Sequence, residues 1–247
     1  MLTLQNISKS FDGQKTWALD SVSLFIKPGE TLGIIGESGS GKTTLARILA
    51  QLMKPDKGEV IFQNFRSNSA SHQERKQFQY TLGYVFQDPY SSLNPSLNIE
   101  TILREPFVIQ KRECSFTLLE EWMQKVKLSP SDLLKKPSDF SGGQRQRIAI
   151  ARALIHQPDL VIFDEAVSSL DVSVQAQVLQ LIMQLTESIT VLFIGHDLPV
   201  VHYVSDRIAV LHHGKLVEFG DAGQIFHDPR ATYTRKLIES RPRRLSY

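Results

Sequence analysis

The eight residues Gly36-Glu37-Ser38-Gly39-Ser40-Gly41-Lys42-Thr43 constrain this chain more than any other feature. The apolar strand Thr31–Ile35 runs into them, and the segment Lys42–Met53 leaves them with Leu45, Ile48, Leu49 and Leu52 at helical spacing. The glycines permit backbone conformations that turn successive N–H groups inward, and the positive end of the following helix adds to this anion nest. The pattern G-x-x-x-x-G-K-[ST] is a phosphate-binding P-loop. In it Lys42 reaches the β- and γ-phosphates and the Thr43 hydroxyl ligates Mg²⁺, while Thr44 and the amides of Ser38 to Gly41 complete the cradle. A flexible glycine–serine turn would give the same letters, but it would not need a strand before it and a helix after it.

A second segment supplies the expected partner. Leu160-Val161-Ile162-Phe163 is apolar enough for a buried strand, and Asp164-Glu165 emerge at its C-terminal end, where open α/β sheets bind ligands. Asp164 is expected to hold Mg²⁺ through water, and Glu165 to act as general base or water positioner. Short strands recur at Leu2–Ile7, Val22–Ile26, Glu59–Phe62, Thr81–Phe86, Thr190–Gly195, Ile208–Leu211 and Lys215–Phe219. Their alternation with helices argues a largely parallel sheet. From Ile99 to Leu134 the pattern is helical and amphipathic, and Gln87–Ser96 reads as a loop. His212-His213-Gly214 reads as a hairpin turn, where adjacent side chains diverge and metal ligation is disfavoured.

Composition excludes several classes. Of 247 residues 41% are apolar and 22% charged, which fits a globular chain, and no apolar run approaches the roughly 20 residues that cross a bilayer. The first residues lack the pattern of a signal peptide. The single cysteine, Cys114, can form no internal disulfide, as suits a reducing cytosol. A net charge of +2 gives no footprint for nucleic acid.

Phe140-Ser141-Gly142-Gly143-Gln144-Arg145-Gln146-Arg147 lies upstream of the carboxylate strand and resembles the signature sequence of ABC-type ATPases. A Ser-Gly-Gly turn before a helix is physically another anion site, although Ser141 would also serve as a plain N-cap. The resemblance covers nearly the whole chain. It implies that Gln87 is the Q-loop glutamine, contacting Mg²⁺ and the attacking water, that Ser169-Leu170-Asp171 is the D-loop, and that His196 is the switch histidine at the γ-phosphate. Phe11 matches the aromatic residue that stacks on adenine, and Trp17 fits that spacing less well. Phe140 departs from the commoner leucine without touching the phosphate-contacting residues.

The implied fold class is α/β, a RecA-like P-loop NTPase core with an antiparallel β subdomain and an inserted α-helical subdomain of ABC ATPase type. Residues 1–87 and 156–228 are expected to form the nucleotide-binding core with the β subdomain, 88–155 the inserted signature subdomain, and 229–247 a short basic tail. The family resemblance also implies ATP and Mg²⁺ as cofactors and a second ABC ATPase subunit, as a heterodimer of paralogues. Ser141, Gly142, Gly143, Gln144 and Asp171 would then serve mainly the partner's nucleotide, while Lys42, Glu165 and His196 serve the chain's own. Every one of these positions holds a competent residue, so a degenerate subunit is not expected.

Phe86–Pro95 (FQDPYSSLNP) and the tail His227–Leu237 resemble the peptide and nickel importers of this family. Relatives with that tail often carry a cysteine-bearing extension, and without those cysteines no iron–sulfur site is expected. The implied function is an ATPase at the cytoplasmic face of the membrane, joined to two transmembrane permease subunits and an extracytoplasmic substrate-binding protein, with no nucleic acid. Peptides are the first cargo and nickel or a metal chelate the second, with export or soluble work on DNA or ribosomes as the remaining readings. Tyr90, Leu93 and the apolar residues of Ile99–Val108 are the expected docking surface for the permease. The basic tail residues Arg230, Arg235, Lys236, Arg241, Arg243 and Arg244 read as a solvated end, or as a weak contact with anionic lipid.

Overall fold

The computed structural model describes residues 1–13 and 15–239, so Arg241, Arg243 and Arg244 lie outside the described residues. The chain forms two compact units, residues 1–75 with 192–247 and residues 76–191. The first unit begins with an antiparallel sheet built from β1 (Leu2–Ser10), β2 (Trp17–Ile26), β4 (Lys57–Phe62) and the two-residue β5 (Phe65–Arg66), in the order β2-β1-β4-β5. Leu2, Leu4 and Ile7 of β1 are buried, as are Leu19, Val22, Leu24 and Ile26 of β2, an apolar face whose two-residue alternation is reset by a register shift between Leu4 and Ile7. β3 (Thr31–Ile35) and α1 (Lys42–Leu49) flank the glycine-rich loop. Leu45, Ala46, Ile48 and Leu49 turn inward from α1.

The boundary between units falls within α2 (His72–Tyr80). In the second unit β6 (Leu82–Val85) runs parallel to β7 (Leu160–Asp164), with Tyr84 level with Ile162. Between these strands the chain is helical: α3 (Pro89–Ser92), α4 (Ile99–Gln110), α5 (Phe116–Lys125), two short 3₁₀ turns at Pro130–Leu134 and Pro137–Asp139, and α6 (Gly142–Leu154). Their core is Ile99, Ile102, Leu103 and Phe107 of α4, Leu119, Trp122 and Met123 of α5, and Ile148, Ile150 and Leu154 of α6. α7 (Val172–Leu185) follows β7. The expected insertion, residues 88–155, lies wholly inside this unit, which also includes β6, β7 and α7.

β8 (Thr190–Ile194) carries the chain back to the first unit, followed by α8 (Leu198–Val204), β9 (Arg207–His212), β10 (Lys215–Asp221), α9 (Ala222–His227) and α10 (Thr232–Glu239). β9 is parallel to β3 and antiparallel to β10. Arg207 ties this part of the unit together. Its guanidinium forms a bidentate pair with the buried Glu30, donates to the Phe25 carbonyl at 2.9 Å, and lies 4.4 and 4.5 Å from the ring centroids of Phe25 and Phe219. A buried carboxylate is tolerable because a planar cation meets both its oxygens.

Helices α3 and α8 are among the elements that differ from the sequence reading. α3 was expected as loop because Pro and Ser dominate it, yet Asp88 caps it by accepting from Tyr90 N–H at 2.8 Å and Ser91 N–H at 3.3 Å. α8 has only seven residues and Pro199 in its first turn, too little for a periodic signal.

Candidate functional site

In the first unit β3 delivers the chain to Gly36, where a Cβ would lie 2.2 Å from the Leu211 carbonyl oxygen. At Gly41 φ is 105° and a Cβ would lie 2.4 Å from the Ala18 carbonyl oxygen, so both positions demand glycine. Gly41 opens α1 without a side-chain cap, which leaves the helix's first N–H groups to the loop. Lys42 is 5% exposed, and its ammonium donates to the carbonyls of Gly36 at 2.8 Å and Glu37 at 2.9 Å. Ser40 is buried and its hydroxyl has no protein partner. A buried cation, an unsatisfied buried hydroxyl and a cradle closed to any Cβ suit a bound phosphate chain.

Gly195 N–H donates to the Ile34 carbonyl at 3.1 Å, so the residue after it, His196, follows the end of β8 beside the end of β3. His196 is exposed. Phe11, the expected adenine platform, is 66% exposed with the Lys9 ammonium 5.9 Å from its centroid. The loop after it is fixed by Asp12, which accepts from the Ser10 hydroxyl at 2.8 Å and Thr16 N–H at 2.9 Å. These bonds, the Thr16 hydroxyl foremost, hold the Asp12 carboxyl down at about 2. Trp17 instead lies under the Lys57 ammonium at 5.1 Å.

In the second unit the two carboxylates sit at the end of β7. Asp164 is buried and accepts from the Tyr84 hydroxyl at 2.9 Å, while Glu165 accepts from the Gln87 side-chain amide at 2.9 Å. Glu165 is in the left-handed backbone region with φ 51°, which non-glycine residues adopt uncommonly. Its carbonyl accepts from the Ser168 N–H and hydroxyl, which starts the turn toward Asp171. Asp171 occupies the N-cap of α7 without using its side chain there. Tyr84 escaped the sequence reading, because only the register of β6 beside β7 brings its hydroxyl to Asp164.

Ser141 caps α6 in a capping box: Gln144 N–H donates to its hydroxyl at 3.4 Å, and Ser141 N–H donates to the Gln144 side chain at 2.9 Å. Ser141 thus performs the ordinary capping duty. The two glycines differ sharply, since a Cβ on Gly142 meets nothing, whereas one on Gly143 would lie 2.5 Å from Val174 Cγ1 in α7. Arg145, one turn on, lies 4.3 Å from the Tyr90 centroid and donates to the Pro137 carbonyl at 2.7 Å.

The expected docking surface is corrected in part. Tyr90 and Val108 are exposed, as is Ile109, but Leu93 is 1% exposed and Ile99, Ile102, Leu103 and Phe107 are buried in the helical core. Beside the Gln87 loop lies a cavity of about 360 Å³ lined by Tyr80, Tyr84, Phe86, Glu105, Ile109 and Arg152, among others. Arg152 anchors one wall by donating to the Ser92 carbonyl at 2.6 Å, and Tyr80 another by donating to the Ile109 carbonyl at 2.9 Å. His156, also in the lining, accepts burial by staying neutral more readily: desolvation pulls its pKa down against the hydrogen bond to the Leu82 carbonyl.

A strand, a glycine-rich cradle and a helix, with carboxylates at the end of another apolar strand, define a P-loop nucleotide-binding protein. The chain belongs to the ABC transporter family, whose profile matches residues 19–168, and it is an ATPase cassette of that family. It is 43% identical to the probable D,D-dipeptide transport ATP-binding protein DdpF of Escherichia coli K12, over 98% of this chain and 79% of that one. It is 45% identical to the oligopeptide transport ATP-binding protein AppF of Bacillus subtilis 168, over 91% and 70%. A dimeric ATP-binding cassette solved in a post-hydrolysis state with ADP and phosphate superposes with a TM-score of 0.79 at 31% identity, covering 90% of this chain and 99% of that one.

Proposed function

We propose that this ABC ATPase is the energy-coupling subunit of a peptide importer, working at the cytoplasmic face of a membrane. The observation that carries the reading is the likeness, at 43 to 45% identity over nearly the whole chain, to relatives named for dipeptide and oligopeptide transport. No helix among the described residues is long and apolar enough to cross a membrane, so in this reading separate permease subunits supply the path. A substrate-binding protein and a second, paralogous ATPase subunit complete the proposed assembly.

The proposed roles follow the motifs. The amides from Gly36 to Thr44 and the Lys42 ammonium bind the triphosphate, and Phe11 stacks on adenine. Thr43, Asp164 and Gln87 are the residues that would hold Mg²⁺, whose chemistry would be neutralisation of phosphate charge. Glu165 takes the proton from the attacking water, and His196 steadies the γ-phosphate. Ser141 to Gln144 and Asp171 face the nucleotide of the sister subunit. Support for Glu165 as base comes from its Gln87 hydrogen bond, which orients the carboxylate.

The cargo is tested by uptake. Cells lacking this chain should fail to import labelled peptide and should recover with the wild-type chain but not with Lys42→Ala. Recovery of labelled Ni²⁺ uptake with no effect on peptide would overturn the peptide reading.

A further inference from the structure

The P-loop is held from behind by the β9–β10 hairpin and by α10, all within the first unit. The hairpin turns at His213 and Gly214, both with positive φ (46° and 75°), the geometry of a tight two-residue connection. Gly214 N–H donates to the Ser40 carbonyl at 3.1 Å, and the Leu211 carbonyl closes off Gly36. The last residue of β9, His212, stacks on the ring of Tyr233 with centroids 3.7 Å apart and planes at 26°. Tyr233 in turn accepts a hydrogen bond from the Glu37 N–H at 3.3 Å.

Glu37 is therefore gripped on two sides. Its N–H goes to the Tyr233 hydroxyl and its carbonyl receives the Lys42 ammonium. The helix that carries Tyr233 is itself fastened to β10. Glu218 accepts from the N–H groups of Arg230 at 2.8 Å and Ala231 at 3.1 Å, and Thr234 is fully buried. Burial alone would raise the Glu218 pKa, but the polar groups around it, the Arg230 and Ala231 N–H groups among them, outweigh it and draw the pKa below the ordinary carboxylate value.

We propose that Tyr233 is a positioning residue for nucleotide binding: through the Glu37 peptide it sets the entry of the P-loop, so that a tail helix stiffens the phosphate cradle. A loop rich in glycine loses more backbone freedom on ordering than any other, so a contact that orders it beforehand raises affinity without touching the ligand. The proposal rests on the nucleotide-binding reading above.

The test is calorimetric titration of the purified chain with Mg-ATP, beside melting curves and ¹H–¹⁵N spectra. Tyr233→Phe keeps the ring stack on His212 and loses only the hydroxyl. It should raise the ATP dissociation constant roughly three- to tenfold, place the effect on KM rather than kcat, move the Glu37 amide resonance, and leave the melting temperature nearly unchanged. Tyr233→Ala also loses the stack and should weaken ATP binding further and lower the melting temperature. If Tyr233→Phe binds ATP as the wild type does and Tyr233→Ala changes only the melting temperature, Tyr233 is packing for α10 and the proposal falls alone. If the wild type itself binds no ATP, and is matched by Lys42→Ala, the nucleotide-binding reading falls and takes this one with it.

Discussion

The phosphate loop of the first unit and the carboxylate strand of the second reach fixed geometry by different means. In the loop, backbone is held by backbone: carbonyls of Leu211 and Ala18 press on Gly36 and Gly41, and the Gly214 N–H meets the Ser40 carbonyl. At the end of β7, side chains hold side chains, Tyr84 on Asp164 and Gln87 on Glu165. A backbone-built site tolerates almost no substitution at its glycines, and the backbone that closes it comes from distant parts of the chain. A site built from side chains can be retuned one group at a time, and its chemistry can be removed without losing its shape.

The sharpest way to separate the two is Glu165→Gln. The amide keeps the size of the carboxylate and a partner for Gln87 but cannot take a proton. Hydrolysis should fall by about 10²- to 10⁴-fold while the ATP dissociation constant stays within about twofold. Steady-state phosphate release with parallel binding titration reads both, and an unaltered hydrolysis rate would remove Glu165 from the role of base. Gly41→Ala attacks the other region. A methyl group 2.4 Å from the Ala18 oxygen, at φ 105°, adds about 1–3 kcal/mol of backbone strain before any clash is relieved, so ATP affinity should fall about 10- to 100-fold. Binding at wild-type strength would mean that the loop can shift and is less rigid than its contacts imply.

The same contrast explains what the sequence made legible. Gly36 to Thr44 could be read directly because the glycines, Lys42 and Thr43 stand at fixed spacing in one contiguous motif, and the apolar strands Thr31–Ile35 and Leu160–Phe163 announce themselves as buried runs. Tyr84 could not be found, since its value depends on a strand register that pairs residues 78 positions apart. The docking surface was misjudged for a related reason: Ile99, Ile102, Leu103 and Phe107 are spaced as an apolar stripe, but a stripe does not say whether it faces a partner or its own core. Tyr84→Phe tests the side-chain network at its least visible member. Removing one hydroxyl from the buried Asp164 should lower kcat by about 10- to 100-fold, the scale of one hydrogen bond to a charged group.

The signature turn brings the two ways of building a site side by side, because its adjacent glycines obey different rules. Gly142 points a missing side chain into open space, while Gly143 lies against Val174 with no room for a methyl group. On packing alone, Gly142→Ala should leave thermal stability unchanged or raise it slightly, by up to about 1 kcal/mol through helix propensity. Gly143→Ala should cost stability, because the β-branched Val174 cannot swing away cheaply. Function should sort them otherwise. If the open face of Gly142 is where a sister subunit's phosphate lies, Gly142→Ala will be as stable as the wild type and yet slower in ATP turnover once the partner subunit is present. Full turnover in that variant would leave the exposed face of Gly142 without a ligand, and would reduce the turn to what Ser141 and Gln144 already make of it, the capped start of a helix.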